Sequence, residues 1–205
     1  LYLDLPPTAG QCMLACYRGG TADIFAASAQ QKQQIRNALL GMVYQNPHLG
    51  LRMLFSSGAN VAEKLICAGE RNVGAMMRRT AEILEHIEIP LSRVKEPPIH
   101  FSGGMQQRVQ IAKAVANRPP VLLLDEVTTG LDLSVQARVL DLVRRIQRES
   151  GISMLVVSHD LAVIRMLADR TAVMLDGRIV EQGLTDQILE DPQHLHTQTL
   201  VHSLL

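Results

Sequence analysis

Nowhere in the 205 residues does an uninterrupted apolar run approach the ~18 positions of a membrane-crossing helix, and the amino-terminal stretch has no signal-peptide pattern. Neither sign of charge is in excess: 20 Lys and Arg face 20 Asp and Glu. No electrostatic footprint therefore argues for nucleic acid or for an anionic membrane surface. Cysteine is scarce. Cys12, Cys16 and Cys67 are odd in number and form no pair of pairs at metal-ligand spacing, so they read as reduced thiols in a cytosolic protein. There are no internal repeats and no low-complexity tract. A phosphate-cradling loop of the form G-x-x-x-x-G-K-S/T is missing too. The one stretch with its glycine spacing, GERNVG (69–74), runs on into Ala75-Met76, with no lysine and no hydroxyl, and lies between two helical patterns rather than after a strand.

What is present is an ordinary globular composition, 47% apolar and 20% charged, which suits one sizeable domain or one domain with an embedded subdomain. QCMLACYRG (11–19), bounded by Gly10 and Gly19-Gly20, reads as a strand. Residues 28–40 carry a helical pattern that ends at Gly41, and GMVYQNP (41–47) is a short strand running into a turn at Asn46-Pro47. Residues 59–68 and 74–88 read as two helices, the second with Met77, Ile83, Leu84 and Ile87 near helical spacing. Pro90, Pro97 and Pro98 make 89–100 a loop, and a helix follows Ser102. VLLL (121–124) and ISMLVV (152–157) are continuous apolar runs, as expected of parallel strands buried on both faces. Between them a helix starts at Ser134 with Val135, Val139, Leu142, Val143 and Ile146 on one stripe. TAVMLDGRIVEQG (171–183) is two strands joined at Asp176-Gly177, a type I′ hairpin signal, and a short helix and a polar, histidine-containing helix close the chain. Strand–helix alternation predicts an α/β fold on a parallel sheet. Residues 1–45 and 101–205 would form its core, and 46–100 a mostly helical subdomain.

Four short stretches carry candidate chemistry. In FSGGMQQR, Ser102-Gly103-Gly104 lies where a loop becomes a helix, and free N–H groups at such a point attract phosphate oxygens. A serine cap followed by a flexible glycine pair explains the same residues without a ligand. In VLLLDE, a buried strand delivers Asp125 and Glu126 to its carboxyl end, where open α/β sheets bind ligands. Asp125 can hold Mg²⁺ through water and Glu126 can polarise an attacking water; an acidic strand-end turn is the plainer alternative. In VVSHD, His159 ends the next strand and could bond a γ-phosphate, though a lone strand-end histidine is also an ordinary structural group. Gln45 ends the strand GMVY and can reach metal and water. His194, His196 and His202 are no metal cluster on spacing, because positions two apart point away from each other on a helix.

Together and in this order, these stretches resemble the nucleotide-binding domain of ABC ATPases. FSGGMQQR resembles that family's signature motif, VLLLDE its Walker B strand, TGLD (129–132) its D-loop, SHD (158–160) its H-loop and VYQNP (43–47) its Q-loop. The likeness runs from about Gly10 to the end of the chain. It implies a P-loop NTPase-like parallel sheet with an inserted helical subdomain, and a cytoplasmic subunit that uses ATP and Mg²⁺ in a two-subunit sandwich. By the same resemblance, Ser102, Gly103, Gly104, Met105 and Gln106 would contact the nucleotide held by a second ABC subunit, with Asp132 coupling the two sites. Asp125 and Gln45 would serve Mg²⁺, Glu126 would be the catalytic base, and Gln45 and His159 would join it at the reacting phosphate. Two positions depart from the usual pattern: Met105 precedes Gln106-Gln107 in the signature, and Val127 stands where a proline usually follows Asp-Glu. The family also needs a P-loop and its strand, which this sequence, opening at Leu1, does not contain. The expectation is a truncated domain, inactive in cis. Residues 60–108 and 130–146 are most similar to the ATP-binding subunit of the carbon–phosphorus lyase system, which implies lyase core subunits as partners and no insertion into the membrane. An oligopeptide- or dipeptide-type importer ATPase, whose tail pattern DPQHLHTQTLVHSLL (191–205) shares, is one alternative. A P-loop-less module that lends its signature to a partner is the other.

Overall fold

The run Leu122-Leu123-Leu124 has almost no contact with solvent, and it forms the middle of strand β2 (Val121–Asp125). β1 (Leu40–Val43) pairs with it in parallel, Val43 opposite Leu124, and the sheet order is β1-β2-β3 with β3 (Ser153–Val157) at an edge. The computed structural model describes residues 2–3 and 6–203, and the chain divides into two compact units, 1–155 and 156–205.

In the first unit, α1 (Ala29–Gln34) begins with a capping box in which the Ser28 hydroxyl accepts from the Gln31 amide and the Gln31 side chain accepts from the Ser28 amide. The helix then widens into a single π-type turn over Ile35–Leu39 and passes straight into β1. Residues 46–100 contain α2 (Pro47–Gly50), α3 (Ser57–Cys67), α4 (Val73–His86) and two short 3-10 turns, with no strand. Ser56 and Asn72 cap α3 and α4 through their side chains. α5 (Gly103–Val115) packs against β1, α3 and α6 (Leu133–Ser150). α6 buries Val139, Leu142, Val143 and Ile146 of the stripe read from the sequence, adds Leu140, leaves Val135 only half-buried, and stops at Gly151 with φ of 62°. At Gly41 α5 comes close to the sheet: a β-carbon there would stand 2.6 Å from the Ala114 carbonyl oxygen.

Two expectations need correction. Residues 11–19 form no strand. Arg18, Gly19 and Gly20 all take positive φ and fold the chain back, leaving one antiparallel bridge between Met13 and Asp23. The Asp23 carboxylate accepts from the Cys12 amide at 2.9 Å, a partner that a strand would have needed. The second correction concerns β3, which is not buried on both faces: Ser153, Leu155 and Val157 are exposed on alternate positions, as an edge strand permits.

In the second unit, α7 (Leu161–Leu167) is followed by β4 (Arg170–Leu175) and β5 (Arg178–Leu184), paired antiparallel. Asp176 and Gly177 at the turn have φ of 49° and 76°, the two positive values of a type I′ hairpin. α8 (Thr185–Glu190) packs on both strands, and α9 (Leu195–His202) follows. The Glu181 carboxylate accepts from the Gln193 and His194 amides and fixes the chain between these helices.

Candidate functional site

The parallel register of β1 and β2 carries Tyr44-Gln45 and Asp125-Glu126 out at the same end of the sheet. There the Gln45 Nε2 donates to Glu126 Oε2 at 2.9 Å, and the Thr129 hydroxyl donates to the same oxygen at 3.2 Å. Glu126 has a φ of 45°. Such a left-handed backbone costs a non-glycine residue about 1–2 kcal/mol, and strain of this kind gathers where a side chain must be aimed. The next two residues, Val127 and Thr128, are buried and anchor the turn. The contact thus joins two of the sequence-predicted groups, 81 positions apart in the chain, around one carboxylate. Asp125, the last residue of β2, is half-buried beside them.

Ser102 is the N-cap of α5 with extended backbone and no side-chain capping bond, and it is exposed, as is Gly103. The first-turn N–H groups of α5 have no partner within the helix. The two glycines differ. A β-carbon on Gly104 would collide with Val135 Cγ1 of α6, whereas one on Gly103 would meet Leu131 Cδ2 at an ordinary 3.6 Å. Packing within the chain therefore demands glycine at 104 and not at 103. Met105 and Gln106 are half-buried and turn toward their own chain. Gln106 Nε2 donates to the carbonyls of Pro98 and Phe101, both at 3.0 Å, and ties the start of α5 to the turn before it. Arg93 lies over the Phe101 ring at 4.4 Å, reaches the Met105 sulfur at 3.4 Å and is held by the Glu96 carboxylate at 2.7 Å.

Asp132 caps α6. Its carboxylate accepts from the Ser134 hydroxyl at 2.8 Å and the Val135 amide at 3.0 Å, and in that order these bonds hold it below the usual carboxylate range. Val135 also touches Gly104, so the Asp132 turn and the Ser102–Gly104 turn are neighbours. His159 belongs to the second unit. It is exposed and stands just before α7, which Asp160 caps by accepting from the Ala162 amide at 2.8 Å.

Two groups were missed by reading the sequence. Gln107 and Gln110 are buried in α5, and both reach the backbone of Tyr44, the residue before Gln45. Glutamine at 106, 107 and 110 among the apolar Val109, Ile111 and Ala112 is the signal that could have found them, since a buried amide needs partners. A cavity of about 390 Å³ lies elsewhere, between α4 and the carboxyl ends of α5 and α6, bordered by Arg79, His86, Arg118 and Glu149.

A divalent cation suits these residues in kind. Mg²⁺ is usually held by one or two protein oxygens together with substrate phosphates and water, and Asp125 with the Gln45 amide oxygen offers that donor set. Among the described residues no group of three His, Cys, Asp or Glu gathers as a self-sufficient metal cage. The amides at the start of α5 are groups of a kind that can donate to phosphate oxygens; a Walker-type lysine and its glycine loop are not among the 205 residues.

Comparison with known proteins shows the family and the fold. A sequence model of the family described as ABC transporter matches residues 6–129. The chain is 44% identical over 182 residues to the putative phosphonates utilization ATP-binding protein PhnK of Escherichia coli K12, covering 89% of this chain and 72% of that protein. It is 39% identical over 184 residues to the oligopeptide transport ATP-binding protein OppD of Bacillus subtilis, and there it spans only about half, 51%, of the relative's length. Among solved structures it resembles the ATP-binding cassette MJ0796, a dimer in a post-hydrolysis state with ADP and inorganic phosphate, with a TM-score of 0.77 and 28% identity over 90% of this chain and 76% of that one.

Proposed function

The chain belongs to the ABC transporter family of ATP-binding proteins, and from that premise we propose that it is the ATP-hydrolysing subunit of a carbon–phosphorus lyase-type system that breaks down phosphonates. The observation that carries the ATPase half of this reading is the Glu126 carboxylate, set at the end of a buried strand with the Gln45 amide and the Thr129 hydroxyl on it. Glu126 takes the proton of the attacking water. Gln45 holds that carboxylate in place and, with Asp125, offers oxygen to Mg²⁺, which when bound neutralises charge developing on the phosphates. By the family resemblance, Ser102 and the α5 amides of Gly103 and Gly104 face the nucleotide of a second ABC subunit; the similar cassette MJ0796 is a dimer with ADP and inorganic phosphate bound. Met105 and Gln106 serve that surface from beneath by fixing its turn, Asp132 links it to α6, and His159 bonds the γ-phosphate. The family resemblance supports a cytoplasmic location for this subunit. Among the described residues no helix is long and apolar enough to cross a membrane.

The phosphonate half rests on the 44% identity to PhnK against 39% to OppD. Two experiments test the whole. In protein made from the complete reading frame, Glu126→Gln keeps ATP bound and lowers turnover by about 10²–10⁴-fold; retention of more than about a tenth of wild-type turnover removes Glu126 as base. Capture of the protein from cells grown on a phosphonate as phosphorus source recovers lyase subunits. Recovery of a many-span permease instead assigns it to an importer and leaves the ATPase reading standing.

A further inference from the structure

β1 ends at Val43, so the Tyr44 peptide has left the sheet ladder before Gln45 turns toward Glu126. Gln110 takes over. Its Oε1 accepts from the Tyr44 amide at 2.9 Å, and its Nε2 donates to the Tyr44 carbonyl at 3.3 Å. Gln107 adds a second donor to that carbonyl at 3.4 Å. A side-chain amide bonded to both polar groups of one residue imitates a strand partner and fixes two backbone dihedrals at once. The seat is built for it. Gln110 is 1% exposed, and a β-carbon on Gly50 would lie 2.8 Å from its Cδ, so only glycine at 50 leaves room for the amide. Gln110 lies on α5, whose first turn carries Ser102, Gly103 and Gly104.

We propose that Gln110 is a positioning residue for hydrolysis: through its two bonds to Tyr44 it sets Gln45 against Glu126, and because it rides on α5 it ties that pair to the turn that faces the second subunit. This rests on the ATPase reading above. The physical sense is directional. Gln45 is exposed beyond the sheet, and a side chain anchored to a loose backbone spreads over several rotamers; a shift of about 1 Å at such a group can cost up to 10²-fold in rate. A rigid helix holding Tyr44 removes that freedom without touching the nucleotide.

The test compares Gln110→Met, which keeps the volume and loses both bonds, with Gln110→Ala, in protein from the complete reading frame with its partner subunits. The expected result is a kcat about 10-fold lower with KM for ATP within about 2-fold, the split that marks a group acting on the chemical step rather than on binding. Gln45→Ala alone gives a similar fall, and adding Gln110→Met to it lowers kcat no further, because residues that act through one another are not additive. A fall of less than about 3-fold in both variants, a matching rise in KM, or additive losses overturn the proposal. Amide exchange at Tyr44 and Gln45 keeps the two readings separable. If wild-type protein hydrolyses no ATP, the ATPase reading fails, and exchange decides the clamp: about 10-fold faster exchange in Gln110→Met at these two amides, with β2 unchanged, supports it, and equal exchange overturns it.

Discussion

Two junctions inside the first unit are built from different materials. Where β1 and β2 meet α5 and α6, the contact is apolar and closed: Val43, Leu122, Leu124, Val139 and Val143 are all at most 1% exposed. Where residues 46–100 meet the rest of the unit, an apolar floor of Val61, Ile83 and Leu84 is ringed by polar ties. Lys64 Nζ donates to the carbonyls of Arg36 and Leu40, Glu63 is shared by Lys113 and Arg52, Arg79 reaches the Ala116 carbonyl and Arg145 the His86 carbonyl. Packed apolar interiors have one good arrangement and resist small displacements. Hydrogen bonds from charged groups to carbonyls exchange for water at a net cost of about 1.5–3 kcal/mol each, and they re-form at nearby positions. The seam around 46–100 is therefore where this unit can yield, and the sheet is where it cannot. Gln110 belongs to both. It is buried like an interior residue, yet it acts through hydrogen bonds to the first residue beyond β1.

The sharpest way to break this contrast is in the sheet. Leu122→Ala deletes a side chain with no solvent exposure, opposite Gly41, where its Cδ1 fills the space a β-carbon would take. Such deletions cost about 2–5 kcal/mol. Urea unfolding should show that loss with an unchanged slope. A loss under about 1 kcal/mol would mean that the interior re-packs freely and that the two junctions do not differ in kind.

Lys64 probes the seam. Desolvation lowers its ammonium to about 8 from 10.5, even though two carbonyls accept from it. A lysine whose folded pKa lies below its unfolded one binds more protons unfolded between those two values, so stability rises with pH through that window and is lowest below it. Relative to Lys64→Met, the wild type should gain about 2 kcal/mol between pH 7 and pH 10. The comparison is read as the difference in unfolding free energy at the two pH values. A difference that stays flat or falls with pH would show that the ammonium is solvated in the fold, and the seam would then be looser than the bonds to Arg36 and Leu40 imply.

The same contrast governs how far the sequence could be read. The apolar run at 121–124, most of the stripe on α6 and the Asp176-Gly177 turn are local signals that appear in the structure where the residues put them, while α6 begins at Leu133, capped by Asp132, one residue before the expected Ser134. Residues 11–19 misled because a carboxylate 11 positions downstream of Cys12 took its amide, which no strand pattern reveals. β3 misled because an apolar run does not say whether its strand is central or at an edge. The residues around Glu126 were legible by type and order. Their mutual contacts were not, because Gln45 and Glu126 meet only through the parallel register, and Gln110 finds Tyr44 only because Gly41 and Gly50 let α5 come close.

The smallest effect is expected at the rim of the seam. α4 ends in a Schellman arrangement: the Ile89 amide donates to the Leu84 carbonyl and the Glu88 amide to the Glu85 carbonyl, both at 2.9 Å. The left-handed position is Glu88, with φ of 63°, where glycine is the usual occupant. In return Glu88 pairs with Arg108 of α5 at 3.2 Å, but its side chain is 62% exposed. An exposed pair of this kind contributes about 0.2–1 kcal/mol, and the left-handed backbone costs a non-glycine residue about 1–2 kcal/mol. Glycine also adds about 0.5–1 kcal/mol of chain entropy to the unfolded state. These terms nearly cancel. Glu88→Gln, which keeps the backbone cost and drops the charge, should destabilise by at most about 1 kcal/mol, and less at high salt. Glu88→Gly should be close to neutral, within about 0.5 kcal/mol of the wild type and no less stable than Glu88→Gln. Thermal unfolding of the three proteins at low and high salt reads both. If Glu88→Gln were instead to cost more than about 2 kcal/mol and to keep that loss at high salt, the Arg108 pair would be a structural tie of the interior kind, and the boundary drawn between the two junctions would have to move outward past α4.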